Sequence, residues 1–299
     1  SYPVKPVRVT VPLTPGSGND VVGRLVAQKL SALWAQPVIV ENRPGAGGSL
    51  GTAIVAKAPP DGYTLLVSAV GAHAANAALN SKLPYDALKD LIAIAPVVSL
   101  PQVIVVAPSA GIKSVSELIS IAKAKPGQLN FASPGTGSSV HFTGEKFRVA
   151  AGIDVVHIPY KGGPEAMNDV MMGRTTYWIP SIGTALPLIQ SAKLVALGVT
   201  SRRRFVALPA VPTIAEVGIP GVEDAVVFGV WARAGVSADI VNKLARDIAE
   251  VCASPELRDQ FQKLAGEPVT MTPAEFERFV RTEFETVGKI AKVAGIKLE

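Results

Sequence analysis

VRVTVPLTPGSGNDVVGRLVAQKLSALWAQPVIV, residues 7–40, decides the fold. Val7 to Leu13 reads as a buried strand, rich in β-branched residues. A loop of small residues follows, Thr14-Pro15-Gly16-Ser17-Gly18-Asn19. Val21, Val22, Leu25, Val26, Leu30 and Leu33 then recur with helical spacing, and Val38 to Val40 begins a second strand. Strand, helix and strand at this spacing form a right-handed parallel crossover.

Outward from this unit the alternation continues. Gly45 to Gly48 is a loop before a helix starting near Ser49, and Thr64 to Val67 is a strand. Ser114 and Glu117 have capping-box spacing and open another helix. Leu129 to Ala132 is a strand, followed by a small-residue loop and a helix through Phe147; Val155 to Ile158, Tyr177 to Ile179 and Val195 to Val199 are further strands. From about Ser237 the pattern turns helical. Ser254-Pro255 starts one helix, and Thr272-Pro273-Ala274-Glu275 opens a long one toward Ala294. The class is α/β, each lobe a β-sheet flanked by helices, with ligand loops at the C-terminal ends of strands. The chain shows no internal repeat and no low-complexity segment.

A length of 299 residues suggests two domains. The proline-broken stretch Ala95 to Gln102 reads as one crossing between them, and residues 218–229 as a second. The expected lobes are therefore 1–98 with 230–299, and 99–229. Leu91 to Ile112 is uncharged but contains Pro96, Pro101 and Pro108, so it reads as strand, turn, strand rather than a membrane helix. The net charge of +5 is scattered, with Arg202-Arg203-Arg204 the one tight run, and aromatics are 6% of residues. That pattern argues against nucleic-acid binding. Cys252, the single cysteine, lies in a helical pattern and reads as a core residue. The chain opens Ser1-Tyr2-Pro3-Val4-Lys5-Pro6 directly before a strand, as an exported protein with its signal removed would.

Enzyme signatures fail. Gly16-x-Gly18 lacks its third glycine, since Val21 stands there, and neither a Walker A loop nor a G-x-S-x-G elbow occurs. His73, His141 and His157 have no metal-ligand spacing, so neither metal nor cofactor is expected. His157 alternates with apolar residues in a strand and reads as a core or edge histidine. His73 and His141 follow loops and are expected to line a cleft. A hydrolase using Ser17 or Ser138 is the catalytic alternative. His141 lies three residues after Ser138, but no acid is placed to orient it.

The sequence does offer small-residue loops at strand ends. They are Thr14 to Asn19, Ser68-Ala69 with the two residues after them, Ser133 to Ser139, and Tyr160-Lys161-Gly162-Gly163. The third contains Gly135, Thr136, Gly137 and Ser138. These loops supply backbone N–H groups and hydroxyls, and two lead directly into helix N-termini, which attract anions.

The same residues carry a family likeness along nearly the whole chain. Pro15-Gly16-x-Gly18-x-Asp20 is followed by Arg24, then Val40-Glu41-Asn42-Arg43-Pro44-Gly45-Ala46-Gly47-Gly48 and Asp61-Gly62-Tyr63-Thr64-Leu65-Leu66. Leu83-Pro84-Tyr85-Asp86, Asn130-Phe131-Ala132-Ser133, Pro159-Tyr160-Lys161-Gly162-Gly163 and Leu208-Pro209-Ala210-Val211-Pro212-Thr213 continue it. The chain resembles the TctC-like, or Bug, solute-binding proteins of bacterial tripartite tricarboxylate transporters. The resemblance implies a two-lobed Venus-flytrap fold, export to the periplasm and delivery of a small carboxylate to the membrane components of a transporter. Some relatives serve instead as sensors for a signalling system. It places ligand contacts at Thr14 to Gly18, Ser68, Ser133 to Ser139 and Tyr160 to Gly163.

Thr176 and Pro180 stand where the family often has acids, which argues against an amino-acid ligand. The expected ligand is a dicarboxylate, aliphatic or aromatic, bound by a monomer. The segment Arg174 to Ser181 is expected to set specificity. There Arg174 would pair a second carboxylate, and Trp178, on the opposite strand face from Tyr177, would form a wall.

Overall fold

A computed structural model describes residues 2–222 and 225–296. Glu223 and Asp224, within the expected second crossing, lie outside the described residues. The chain divides into two compact units: residues up to Ser99 with those from Val227 on, and Leu100–Val226.

In the first unit, β1 (Val7–Val11) is followed by α1 (Gly18–Trp34), β2 (Val38–Asn42), α2 (Ser49–Ala56), β3 (Thr64–Ala69) and α3 (Val70–Leu79). β4 (Leu91–Pro101) leads out of this unit. The second unit contains β5 (Val103–Val106), α4 (Val115–Ala124), β6 (Asn130–Ser133), α5 (Ser139–Ala151), β7 (Val156–Pro159) and α6 (Gly163–Met171). It ends with β8 (Tyr177–Trp178), α7 (Ile182–Gln190) and β9 (Val195–Val199). β10 (Ala225–Arg233) leads back, and α8 (Ala238–Ala253), α9 (Pro255–Lys263), β11 (Glu267–Pro268) and α10 (Pro273–Ala294) complete the first unit.

The first sheet has the order β11-β4-β10-β3-β1-β2 and the second β7-β6-β8-β5-β9. β1 pairs in parallel with both β2 and β3, and β6 pairs in parallel with both β7 and β8. The C-terminal ends of three successive parallel strands therefore share one edge in each unit. β2-β1-β3 and β7-β6-β8 are the same arrangement made twice, so the chain contains a structural repeat that the sequence reading did not find.

Each unit has its own core. Trp231 packs on Phe276 with ring centroids 5.4 Å apart in the first. Phe131, Phe147 and Tyr177 pack together in the second. Burying one such side chain contributes roughly 1.5–3 kcal/mol. The first helix of each repeat lies close on its strand because a glycine faces it. A Cβ on Gly23 would come within 2.9 Å of Val11, and one on Gly144 would collide with the Phe131 ring. Cys252 is buried, and burial pushes its thiol up to about 12.

Candidate functional site

The loops that enter α1 and α5 carry the same hydrogen bonds. Ser17 and Ser138 are the N-caps, with φ/ψ of −70°/162° and −72°/156°. Their Oγ atoms accept the N–H of Asp20 and His141, three residues on. Their own N–H groups donate back to Thr14 O and Gly135 O, both at 3.2 Å. The preceding glycine takes a left-handed φ, +81° at Gly16 and +85° at Gly137, where a side chain would be strained. That glycine's N–H donates to the side chain four residues later, Gly16 to Asp20 Oδ2 at 2.9 Å and Gly137 to His141 Nδ1 at 3.2 Å. Gly16-Ser17-x-x-Asp20-x-x-Gly23 and Gly137-Ser138-x-x-His141-x-x-Gly144 are thus one capping motif used twice, a variant of the capping box. The first-turn N–H groups at Gly18 and Asn19, and at Ser139 and Val140, have no intrahelical partners. Such groups at a helix N-terminus favour a carboxylate.

In the first unit Asp20 is a charged acceptor whose charge is compensated. Its Oδ1 accepts from Arg24 Nε and from Asn42 Nδ2, each at 2.9 Å. Burial raises its pKa, but these hydrogen bonds and the arginine outweigh burial and hold the carboxyl below its usual range. Asn19 Nδ2 donates to Ser68 Oγ at 3.4 Å, tying this loop to the end of β3. Ala69, the last residue of β3, is the N-cap of α3 and offers no side-chain cap. Asn76 Nδ2 donates to Gly47 O at 3.1 Å, which brings the Gly45–Gly48 loop to the same edge. Pro15 and Gly16 are exposed, and the Thr14 hydroxyl is buried without a partner.

His73 does not line an open surface. It is buried in α3 against Trp231, ring centroids 4.4 Å apart, with Nε2 unpartnered. Burial pushes its pKa down to about 4.

In the second unit Ser133, at the end of β6, is fully buried. Its Oγ lies 2.7 Å from His157 Nε2 and accepts the Gly135 N–H at 3.1 Å. The rings of His141 and His157 stack, centroids 3.9 Å apart and planes 20° from parallel. Sequence spacing separated these histidines, and the β6-β7 pairing brings them together. Burial pushes His141 down to about 4, with Arg148 adding to the effect. Burial, then His141, pushes His157 to about 3. Both are neutral at pH 7. Glu145 Oε1 stands 3.8 Å from His141 Nε2, while Glu145 Oε2 accepts from Arg148 at 2.7 Å. Thr136 is half-buried within this loop, and Ser139 is the first residue of α5.

This geometry does not favour the hydrolase alternative. Ser138 Oγ donates to Gly135 O at 2.7 Å, and His141 Nδ1 is engaged by Gly137. Ser17 Oγ serves Asp20 N–H as a cap. Among the described residues no group of three His, Cys, Asp or Glu is placed to hold a metal. No described helix is long and apolar enough to cross a membrane.

The Tyr160–Gly163 loop sits beside Ser133, since Tyr160 N–H donates to Ser133 O at 2.9 Å. The Tyr160 hydroxyl is occupied, 2.5 Å from Thr175 Oγ1 and 3.0 Å from Asp169 Oδ2. Lys161 is exposed and its N–H donates to Glu165 at 3.3 Å. Gly162 is the N-cap of α6, with no side-chain cap, and Gly163 adjoins the Trp178 ring. Trp178 is buried, and its indole Nε1 has no partner.

Arg174 is placed elsewhere. It precedes β8, at the opposite strand end from the loops, exposed and paired with Asp169 at 3.1 Å. Of the five buried side-chain polar atoms without a partner among the described residues, three belong to expected contacts: Thr14 Oγ1, His73 Nε2 and Trp178 Nε1. Unsatisfied buried groups of this kind call for an explanation, of which a ligand is one. Sequence reading placed Asn19 in the first loop without its bond to Ser68, and missed Asn76 and the roles of Asp20, His141 and His157. The repeated Gly-Ser-x-x-Asp/His spacing was the available signal.

Comparison with known proteins agrees with this architecture. Residues 22–296 match the family described as tripartite tricarboxylate transporter family receptor, TctC. Protein BugT of Bordetella pertussis is 36% identical over 300 residues, covering 100% of this chain and 92% of BugT. Among solved structures, R. palustris Rpa4515 with adipate superposes with a TM-score of 0.94 at 32% identity, covering 99% of each chain. MatC from Rhodopseudomonas palustris with bound malate superposes at 0.90 and 29% identity, covering 97% of this chain and 99% of MatC.

Proposed function

The chain belongs to the tripartite tricarboxylate transporter family of receptors, a family of periplasmic solute-binding proteins and not of enzymes, and from that premise we propose that it captures a small dicarboxylate in the periplasm for the membrane components of such a transporter. The observation that supports this most directly is the repeated capping motif. It gives each unit a helix start whose first-turn N–H groups are free and whose supporting groups are already hydrogen-bonded. Thr14, Ser68 and the first turn of α1 are the carboxylate contacts of the first unit. Thr136, Ser139 and the Gly162 end of α6 are those of the second. Adipate and malate, named with two of the similar structures, are both dicarboxylates.

A thermal-shift screen tests the proposal with mono-, di- and tricarboxylates, amino acids and sugars. A dicarboxylate at one hundred times its dissociation constant adds about 2.7 kcal/mol of stability. Stabilisation by sugars or amino acids, with no response to any dicarboxylate, refutes it.

A further inference from the structure

We propose that His141 and His157 are positioning residues for the anion-binding loop of the second unit, fixing residues 133–138 in the conformation that leaves the first turn of α5 free for a carboxylate. The inference rests on the proposed function for what the loop binds, but not for what holds it. His141 takes the Gly137 N–H on Nδ1, and His157 meets the Ser133 hydroxyl, which itself receives the Gly135 N–H. Two rings in one stack therefore hold both ends of the loop. Phe131 backs the stack, its centroid 4.9 Å from His157, and Phe142 meets His141 edge-on.

The equivalent loop of the first unit relies on a carboxylate, Asp20, that accepts hydrogen bonds whenever it is ionised. The second relies on an imidazole that accepts only while Nδ1 is unprotonated. A proton on His141 Nδ1 would set donor against donor at Gly137. Among the described residues one carboxylate faces the pair, Glu145, with Oε1 3.8 Å from His141 Nε2; it lies on the side away from Nδ1 and cannot restore the acceptor that Gly137 loses. The Glu145 Oε2 atom is held by the Arg148 cation, the Ser133 hydroxyl meets His157, and the rings of Phe131 and Phe142 pack on the pair. At neutral pH burial keeps both histidines unprotonated and the loop locked. Acid releases it.

Hydrogen–deuterium exchange on the full chain, without ligand, tests the lock in wild type, His141→Asn and His141→Phe. The Asn oxygen can replace Nδ1 as acceptor and does not titrate, while Phe keeps the stack and removes the acceptor. Expected at pH 7 is loop exchange at least tenfold faster in His141→Phe and within about threefold of wild type in His141→Asn, an acceptor being worth about a factor of ten. Between pH 6 and 4, after correction for intrinsic rates, wild type loses loop protection that His141→Asn keeps. Equal protection in all three proteins, or no difference between wild type and His141→Asn in acid, overturns the proposal. If His141→Phe does not fold, the acid comparison decides alone. Calorimetry with adipate runs in parallel. A locked loop in a wild-type protein that neither binds adipate nor responds to any dicarboxylate in the thermal-shift screen refutes the functional reading while leaving the positioning role standing.

Discussion

Asp20 and His141 hold the same place in two copies of one motif, each accepting the N–H of the glycine four residues before it. One is a carboxylate braced by Arg24 and Asn42, and the other an imidazole stacked on a second imidazole. The same backbone geometry is thus maintained by opposite electrostatic means, which gives the two units different responses to substitution and to pH.

Asp20→Ala removes the acceptor for Gly16, Arg24 and Asn42 together. The expected loss is about 2–4 kcal/mol of unfolding free energy, since hydrogen bonds to charged groups are worth roughly 1.5–3 kcal/mol each and do not add fully. Urea denaturation at pH 7 measures it, and a loss under about 0.5 kcal/mol would count against the bracing role.

Stability falls in acid. His73, His141 and His157 are held neutral in the fold, near 4, 4 and 3. Above the unfolded value of about 6.5 neither state binds these protons, so the three contribute no pH dependence there. Below it the unfolded chain takes them up and the folded one does not. Stability therefore declines from about pH 6.5 toward pH 4. Urea midpoints at pH 7, 5.5 and 4.5 follow the decline, and His73→Leu makes it shallower.

Trp178→Phe removes a buried, unpartnered N–H while keeping an aromatic ring beside Gly163. The free protein should be as stable as wild type or more so, by up to about 1 kcal/mol. Dicarboxylate affinity should fall about tenfold if that N–H meets the ligand. Calorimetry that finds affinity unchanged places the indole in the core instead.

Arg174→Ala should change dicarboxylate affinity less than about twofold, because Arg174 is exposed, paired with Asp169 and at the strand end away from the loops. A loss of tenfold or more would restore the part that sequence patterning gave this arginine.

Gly144→Ala forces a methyl group into the Phe131 ring. Overpacking of this kind costs about 1–3 kcal/mol. The thermal midpoint should drop accordingly, whereas Gly152→Ala, where a Cβ meets nothing within 4 Å, adds only the strain of a φ of +60°.

Patterning sufficed for elements such as Val7–Val11 and the helix after it, which obey periods of two and 3.6, because periodicity is local; it did not pick out α3, α6, α7, β10 or β11. The loops were legible for a related reason: Gly16, Ser17, Gly137 and Ser138 are types that turns and caps demand. The histidine stack was not legible. His141 and His157 are 16 positions apart, and only the register of β6 on β7, which sets Phe131 opposite His157, places their rings face to face. The position of Arg174 was not legible either, because sequence gives the strand, Tyr177–Trp178, but not which of its ends meets the loops. That follows from β6 and β8 running parallel.

The boundary strands β4 and β10 also order events in time. Leu100–Val226 is one uninterrupted segment, whereas the other unit needs residues from both ends of the chain. Its sheet lacks β10 and β11 until residue 268 is available, and α3 lacks α10, its principal packing partner, until the last helix is made. A polypeptide emerging from its N-terminus can therefore complete the histidine-braced half first. The Asp20 half is complete only when almost the whole chain has arrived.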